Sequence, residues 1–139
     1  HCGTPAGLFA PVGKLTGLTQ IARDNILMRW QEDMAELALY PNVYTKMSGL
    51  FMPVLGHQFH KQGRLASRQE VYDLASPLIN HALNCFGAQR VMFASNFPMD
   101  RVSSSLVNII DAFRDAVVAH DPNALEQVFH HTAKQFYAL

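Results

Sequence analysis

Two short strand-like runs, each followed by a long helical pattern, constrain this chain more than any other feature. Val43 to Ser48 (VYTKMS) is rich in β-formers and is bounded by Pro41-Asn42 and Gly49, as a strand should be. Arg90 to Ser95 (RVMFAS) is a continuous apolar run, the pattern of a strand covered on both faces. Between them Val71, Leu74, Ala75, Leu78, Ile79, Ala82, Leu83 and Phe86 mark an apolar stripe from Arg68 to Phe86. That spacing predicts a helix despite Pro77, ended by Gly87 as a C-cap residue. Ahead of the first run, Ile26 to Leu39 places Ile26, Trp30, Met34, Leu37 and Ala38 on one helical face. After the second, Ser103 to Ser105 is expected to cap a helix through His120, with Leu106, Ile109, Ile110, Phe113 and Val117 inward. Asp121-Pro122 starts a further helix by the cap-plus-proline pattern, and Ala133 to Leu139 forms a last amphipathic piece.

The order helix, strand, helix, strand, helix is that of successive βα units in a parallel sheet, so the fold class is α/β. Two parallel strands alone leave unpaired edges and an uncovered face. A complete eight-fold barrel takes ~250 residues, and this chain has 139. The arithmetic supports a fragment of a larger fold, with the N-terminus cut ahead of His1.

Bulk composition narrows the partners. Eleven basic and eleven acidic side chains give a net charge of zero, which provides no electrostatic footprint for nucleic acid or an anionic membrane. The apolar runs are too short to span a bilayer, and no basic-then-apolar leader opens the chain. A small-molecule substrate and a cytoplasmic location are expected, and association with further copies of the chain is compatible with the open sheet. Cys2 and Cys85 lie far apart without metal-ligand spacing and read as free thiols.

Three ordered motifs carry the chemistry. They are HCGTP at the start, VYTKMSGL in the middle and RVMFASNFPMD near the end, and the chain closes on HHTAKQFYAL. Together they resemble the amidohydrolase-related family, in particular its lactonase-like group, across the whole chain. In that group one strand ends in Asp-His-x-Gly-x-Pro, a later one in Lys-Leu-Ser-Gly and the last in Gly-Ser-Asp-Trp-Pro. The resemblance implies that residues 1–139 are the C-terminal portion of one metal-dependent-hydrolase-like (β/α)8 barrel domain, and that the reaction is hydrolysis of a lactone or ester of a small carboxylated or sugar-derived acid. It leaves the family's His-x-His pair outside the chain, so the isolated chain is expected to be inactive. A metal-dependent decarboxylase and an inactive small-molecule-binding relative are the competing readings.

Barrel enzymes work at the C-terminal ends of their strands, where His1, residues 46–49 and Asn96 are all expected. His1 matches the family's catalytic histidine, a group suited to moving protons near neutral pH. Lys46 and Ser48 share one face of a strand and are candidates to bind substrate or to form structural hydrogen bonds. Asn96 stands where the family carries an acid, and an amide cannot take the proton of an attacking water. It is expected to orient water or substrate. Asp100 is the nearest spare carboxylate, and four extended residues reach ~13 Å, which places it at the mouth, in solvent or at the start of the next helix. The loop from Gly49 to Ser67, longer than most, leads into Arg68 and offers Arg64 and Arg68 as grips for a substrate carboxylate. It also holds His57 and His60, which are spaced for a metal only if the segment turns helical and which have no third ligand nearby. No cofactor is expected, with a divalent metal the lesser reading. His81, His130 and His131 are read as structural or exposed, and Trp30, Met92 and Phe93 as core.

Overall fold

The computed structural model describes residues 1–139. Its first helix, α1, spans Gln20–Ala38, six residues earlier than the apolar pattern predicts. The reason is a cap: the Thr19 hydroxyl accepts the Ala22 N–H at 3.1 Å, which starts the helix before any apolar stripe appears. Trp30, Met34 and Ala38 face inward as expected, whereas Leu37 is 46% exposed.

The strands are shorter than predicted, β1 being Thr45–Met47 and β2 Val91–Phe93. They pair in parallel with Thr45 opposite Val91, Lys46 opposite Met92 and Met47 opposite Phe93. Alternation divides the sheet. Met47 and Val91 join the core that the helices cover, with Phe93 packed against it, while Lys46 and Met92 lie on the other face. Phe93 stacks on Phe129 at 4.5 Å between ring centroids.

The crossover helix α2 spans Arg68–Phe86, the predicted residues. Ser67 accepts the Glu70 N–H while Glu70 accepts from Ser67, a reciprocal capping box. Seven of its eight predicted inward positions are buried, Leu74 being partly so. Helix α3, Leu106–His120, is capped by Ser105 and buries Ile109, Ala112, Phe113, Ala116 and Val117. Leu106, predicted inward, is 39% exposed because it occupies the first turn. The chain closes through a 3-10 turn (Pro122–Ala124), a π-helical turn (Gln127–His131) and α4, Thr132–Tyr137. No helix is long and apolar enough to cross a membrane.

Arg90 fixes the ends of the helices ahead of both strands. Its guanidinium donates to the carbonyls of Ala38 (3.0 Å), Tyr40 (2.9 Å) and Phe86 (3.2 Å). Ala38 and Phe86 are the last residues of α1 and α2, and Tyr40 lies in the turn after α1, so one side chain ties together the helix ends that precede β1 and β2.

Candidate functional site

The site is built beyond the C-terminal ends of the two strands. At the end of β1, the Ser48 hydroxyl lies 2.6 Å from His1 Nδ1. His1 is held there from two sides: Trp30 Nε1 donates to the neighbouring Cys2 carbonyl at 2.7 Å, and the Cys2 thiol reaches the Ser48 carbonyl at 3.6 Å. Burial pushes the Cys2 thiol up from its ordinary range, so it packs as a neutral thiol. Both cysteines are free.

Gly49 is required at this junction. Its φ of +71° lies in the left-handed region, and a β-carbon there would fall 2.9 Å from Met52 and 3.1 Å from His1 Nδ1. The glycine therefore leaves the Nδ1–Cε1 edge of the imidazole uncrowded. His1 Nε2 has no hydrogen-bond partner within the chain and His1 is exposed.

At the end of β2, the extended reach assumed for Asn96 and Asp100 does not apply. The chain turns into a 3-10 helix at Met99–Val102, and Asn96, at φ +56°, begins the reversal. Asp100 N donates back to the Asn96 carbonyl. As a result Asn96 Nδ2 donates to Asp100 Oδ1 at 2.7 Å, and Phe51 N donates to Asp100 Oδ2 at 3.3 Å. Asp100 is only 1% exposed, so it lies neither in solvent nor within the next long helix. Burial raises its pKa from the ordinary carboxyl value, opposed by the two hydrogen bonds. Since Phe51 follows Ser48 by three residues, the two strand ends form one connected group.

The remaining candidates are placed differently. Lys46 is half-buried on the sheet face that the helices leave uncovered, the face it shares with Ser48, and makes no ion pair or hydrogen bond. Arg64 makes two bonds to Glu70, at 2.9 and 2.7 Å, and Arg68 makes two to Asp115, at 2.7 and 2.6 Å. Both arginines, expected as grips for a substrate carboxylate, are exposed and engaged here by helix carboxylates of the chain itself. His60 is exposed, whereas His57 is buried, with Nε2 2.6 Å from the Leu50 carbonyl. The two do not form a metal pair, and no three His, Cys, Asp or Glu side chains converge anywhere in the chain. His81 bonds the Gln31 carbonyl at 2.9 Å, and His130 and His131 are exposed.

Sequence reasoning gave Trp30 to the core without its anchoring bond to Cys2, and it missed the link through Phe51. Neither has a local signal, because the partners lie 28 and 49 residues apart.

Comparison with known proteins agrees with this architecture. The amidohydrolase family model matches residues 1–139. An uncharacterized protein, y4mH, of Sinorhizobium fredii is 33% identical over 108 residues, 78% of this chain and 32% of that protein. The L-fucono-1,5-lactonase of Burkholderia multivorans is 30% identical over 76% of this chain and 30% of its own length. Among solved structures, an amidohydrolase from Burkholderia multivorans with bound HEPES superposes with a TM-score of 0.76 at 24% identity. It covers the whole of this chain and 43% of the other. A second crystal form of an amidohydrolase from that organism, with bound zinc, gives 0.70 at 25% identity over 84% of this chain and 39% of the other. The chain thus spans about a third of the curated relatives it matches and about two-fifths of the solved structures. Its α/β fold is theirs, and the chain belongs to the amidohydrolase family.

Proposed function

We propose that this chain forms part of a (β/α)8-barrel hydrolase in which water attacks a lactone or related ester of a small carboxylated or sugar-derived acid. The observation that carries the proposal is the 2.6 Å contact of His1 Nδ1 with Ser48. With Nδ1–H donated to the serine oxygen, the Nε2 lone pair is free to accept a proton. An imidazole can both accept and return a proton near neutral pH, which suits both halves of the cycle.

His1 Nε2 takes a proton from water as the water oxygen bonds to the lactone carbonyl carbon. The tetrahedral intermediate then expels the ring oxygen, and the imidazolium returns that proton to the departing oxygen, giving the open hydroxy acid. Asn96 spends one amide hydrogen on Asp100. Its second amide hydrogen and its carbonyl remain to orient the substrate or the water. Asp100 acts through Asn96 and is a positioning residue. The likeness to the L-fucono-1,5-lactonase supports a sugar-lactone substrate.

A relative that binds zinc raises the question of a metal. Asp100 already has both oxygens engaged, which leaves His1 Nε2 and the Asn96 side-chain carbonyl as the unoccupied donor atoms at these strand ends. These residues do not by themselves make a ligand set for a divalent metal.

The test uses the protein in its full natural length, assayed with L-fucono-1,5-lactone and D-glucono-1,5-lactone. Hydrolysis is expected, with His1→Ala lowering kcat/KM by roughly 10²-fold. Absence of turnover on sugar lactones, or an undiminished rate in His1→Ala, would refute the proposal.

A further inference from the structure

The loop after β1 holds a buried histidine that the hydrolytic scheme does not use. His57 is 3% exposed. Its ring lies between Phe51 (5.0 Å between centroids, 6° between planes) and Phe9 (4.5 Å, 22°), with Phe59 at 5.7 Å. Phe9 comes from the loop that follows His1. That loop is joined to the second by Gly7 N to the Val54 carbonyl (3.0 Å) and Phe9 N to the Leu55 carbonyl (2.7 Å). At Gly56 a β-carbon would meet Ala10 N at 2.3 Å, so the backbones touch. The two loops are one unit with His57 inside it.

The polar contact of His57 is directed at the site. Nε2–H donates to the Leu50 carbonyl at 2.6 Å, and that carbonyl belongs to the same peptide plane as Phe51 N–H. Phe51 N–H is the donor to Asp100, and Asp100 holds the Asn96 amide. Rotation of this peptide would turn both ends together.

We propose that His57 is a positioning residue: by fixing the Leu50–Phe51 peptide it aims Phe51 N–H at Asp100 and thereby sets the Asn96 amide towards the substrate. The inference rests on the proposed role of Asn96 at the strand ends. Packing alone would make the ring the important part of His57, whereas positioning makes the Nε2–H donor the important part.

Two substitutions separate these roles in the full-length protein with L-fucono-1,5-lactone as probe. His57→Gln retains an amide donor at the distance of Nε2 without the ring, and His57→Phe retains a stacking ring without the donor. Positioning predicts that His57→Phe loses kcat by roughly 10-fold or more, since small misplacements of reacting groups are costly. KM should move less, and His57→Gln should keep kcat within about 3-fold even where its melting temperature is the lower of the two. The reverse ordering, equal losses, or an unchanged kcat in folded His57→Phe would overturn the proposal. If His57→Phe does not fold, His57→Gln decides the matter: a retained kcat supports positioning and a 10-fold loss refutes it. His1→Ala run alongside keeps the two proposals apart. Activity insensitive to His1 defeats the hydrolytic scheme, whereas activity dependent on His1 but indifferent to the donor at position 57 defeats only this inference.

Discussion

Residues 49–59 and residues 60–67 belong to one loop between β1 and α2, yet they are held by different forces. In the first half Leu50, Phe51, Leu55, His57 and Phe59 are buried, and the one imidazole among them is satisfied by a backbone carbonyl. In the second half Ala66 is the buried anchor, tied to Ser103 by a 2.7 Å backbone bond. Arg64, and Arg68 at the start of α2, lie outside, with side chains 51% and 53% exposed. Burial excludes water and makes each polar contact obligatory. Exposure leaves ion pairs screened and weak. The half of the loop that carries more cationic side chains is therefore the half expected to matter less.

The difference is largest in stability. Leu55→Ala removes a fully buried side chain and should cost about 2–5 kcal/mol, whereas Leu65→Ala, at a position 48% exposed, should stay within about 0.5 kcal/mol. Urea denaturation of the two variants measures this, and similar costs would break the division. Protonation comes next. Burial lowers the His57 pKa below 6.5, against the raising effect of its bond to Leu50. The folded state thus binds this proton less readily than the unfolded chain. Stability contributed by neutral His57 is complete above the unfolded value near 6.5 and declines as pH falls towards the folded one. Melting temperature should drop over that interval, and His57→Gln should flatten the drop while His60→Gln does not.

Smaller effects belong to the outer half. Glu70→Ala removes the capping-box partner of Ser67 and should cost about 1 kcal/mol. Arg64, followed by the Ser67 backbone N–H, holds the Glu70 carboxyl down to about 2, but the exposure of this group limits what that shift is worth. Arg68→Ala should leave the urea midpoint nearly unchanged, because an exposed ion pair is screened by solvent. Its effect on KM for a lactone should stay below about 2-fold, because its guanidinium is occupied by Asp115. A tenfold rise in KM would return Arg68 to the substrate.

What could be read along the chain follows the range of the forces involved. Helix α2 was legible because its apolar stripe and Gly87 are both local. The α/β order was legible for the same reason. The start of α1 was not, since residues 20–25 hold one large apolar side chain, Ile21, and it is 73% exposed. Arg64 and Glu70 are six residues apart, whereas Asp115 lies 47 residues from Arg68. Asp100 was named as a candidate, but its fold-back on Asn96 depends on a turn that an extended estimate of reach cannot reveal. The aromatic enclosure of His57 draws on Phe9, 48 residues away, and no local pattern announces it.

The strand-end group itself is tested most directly by the pH profile of kcat/KM for Asn96→Asp in the full-length protein. If Asn96 is the amide that Asp100 steers, the substitution sets two carboxylates a hydrogen bond apart, and the pair must share a proton to keep that contact. Activity should then survive only at acid pH and fall by roughly 10-fold or more as that proton is lost towards neutrality. An unchanged or higher rate at neutral pH would show that position 96 accepts the proton of the attacking water, and would contradict the assignment of that proton to His1.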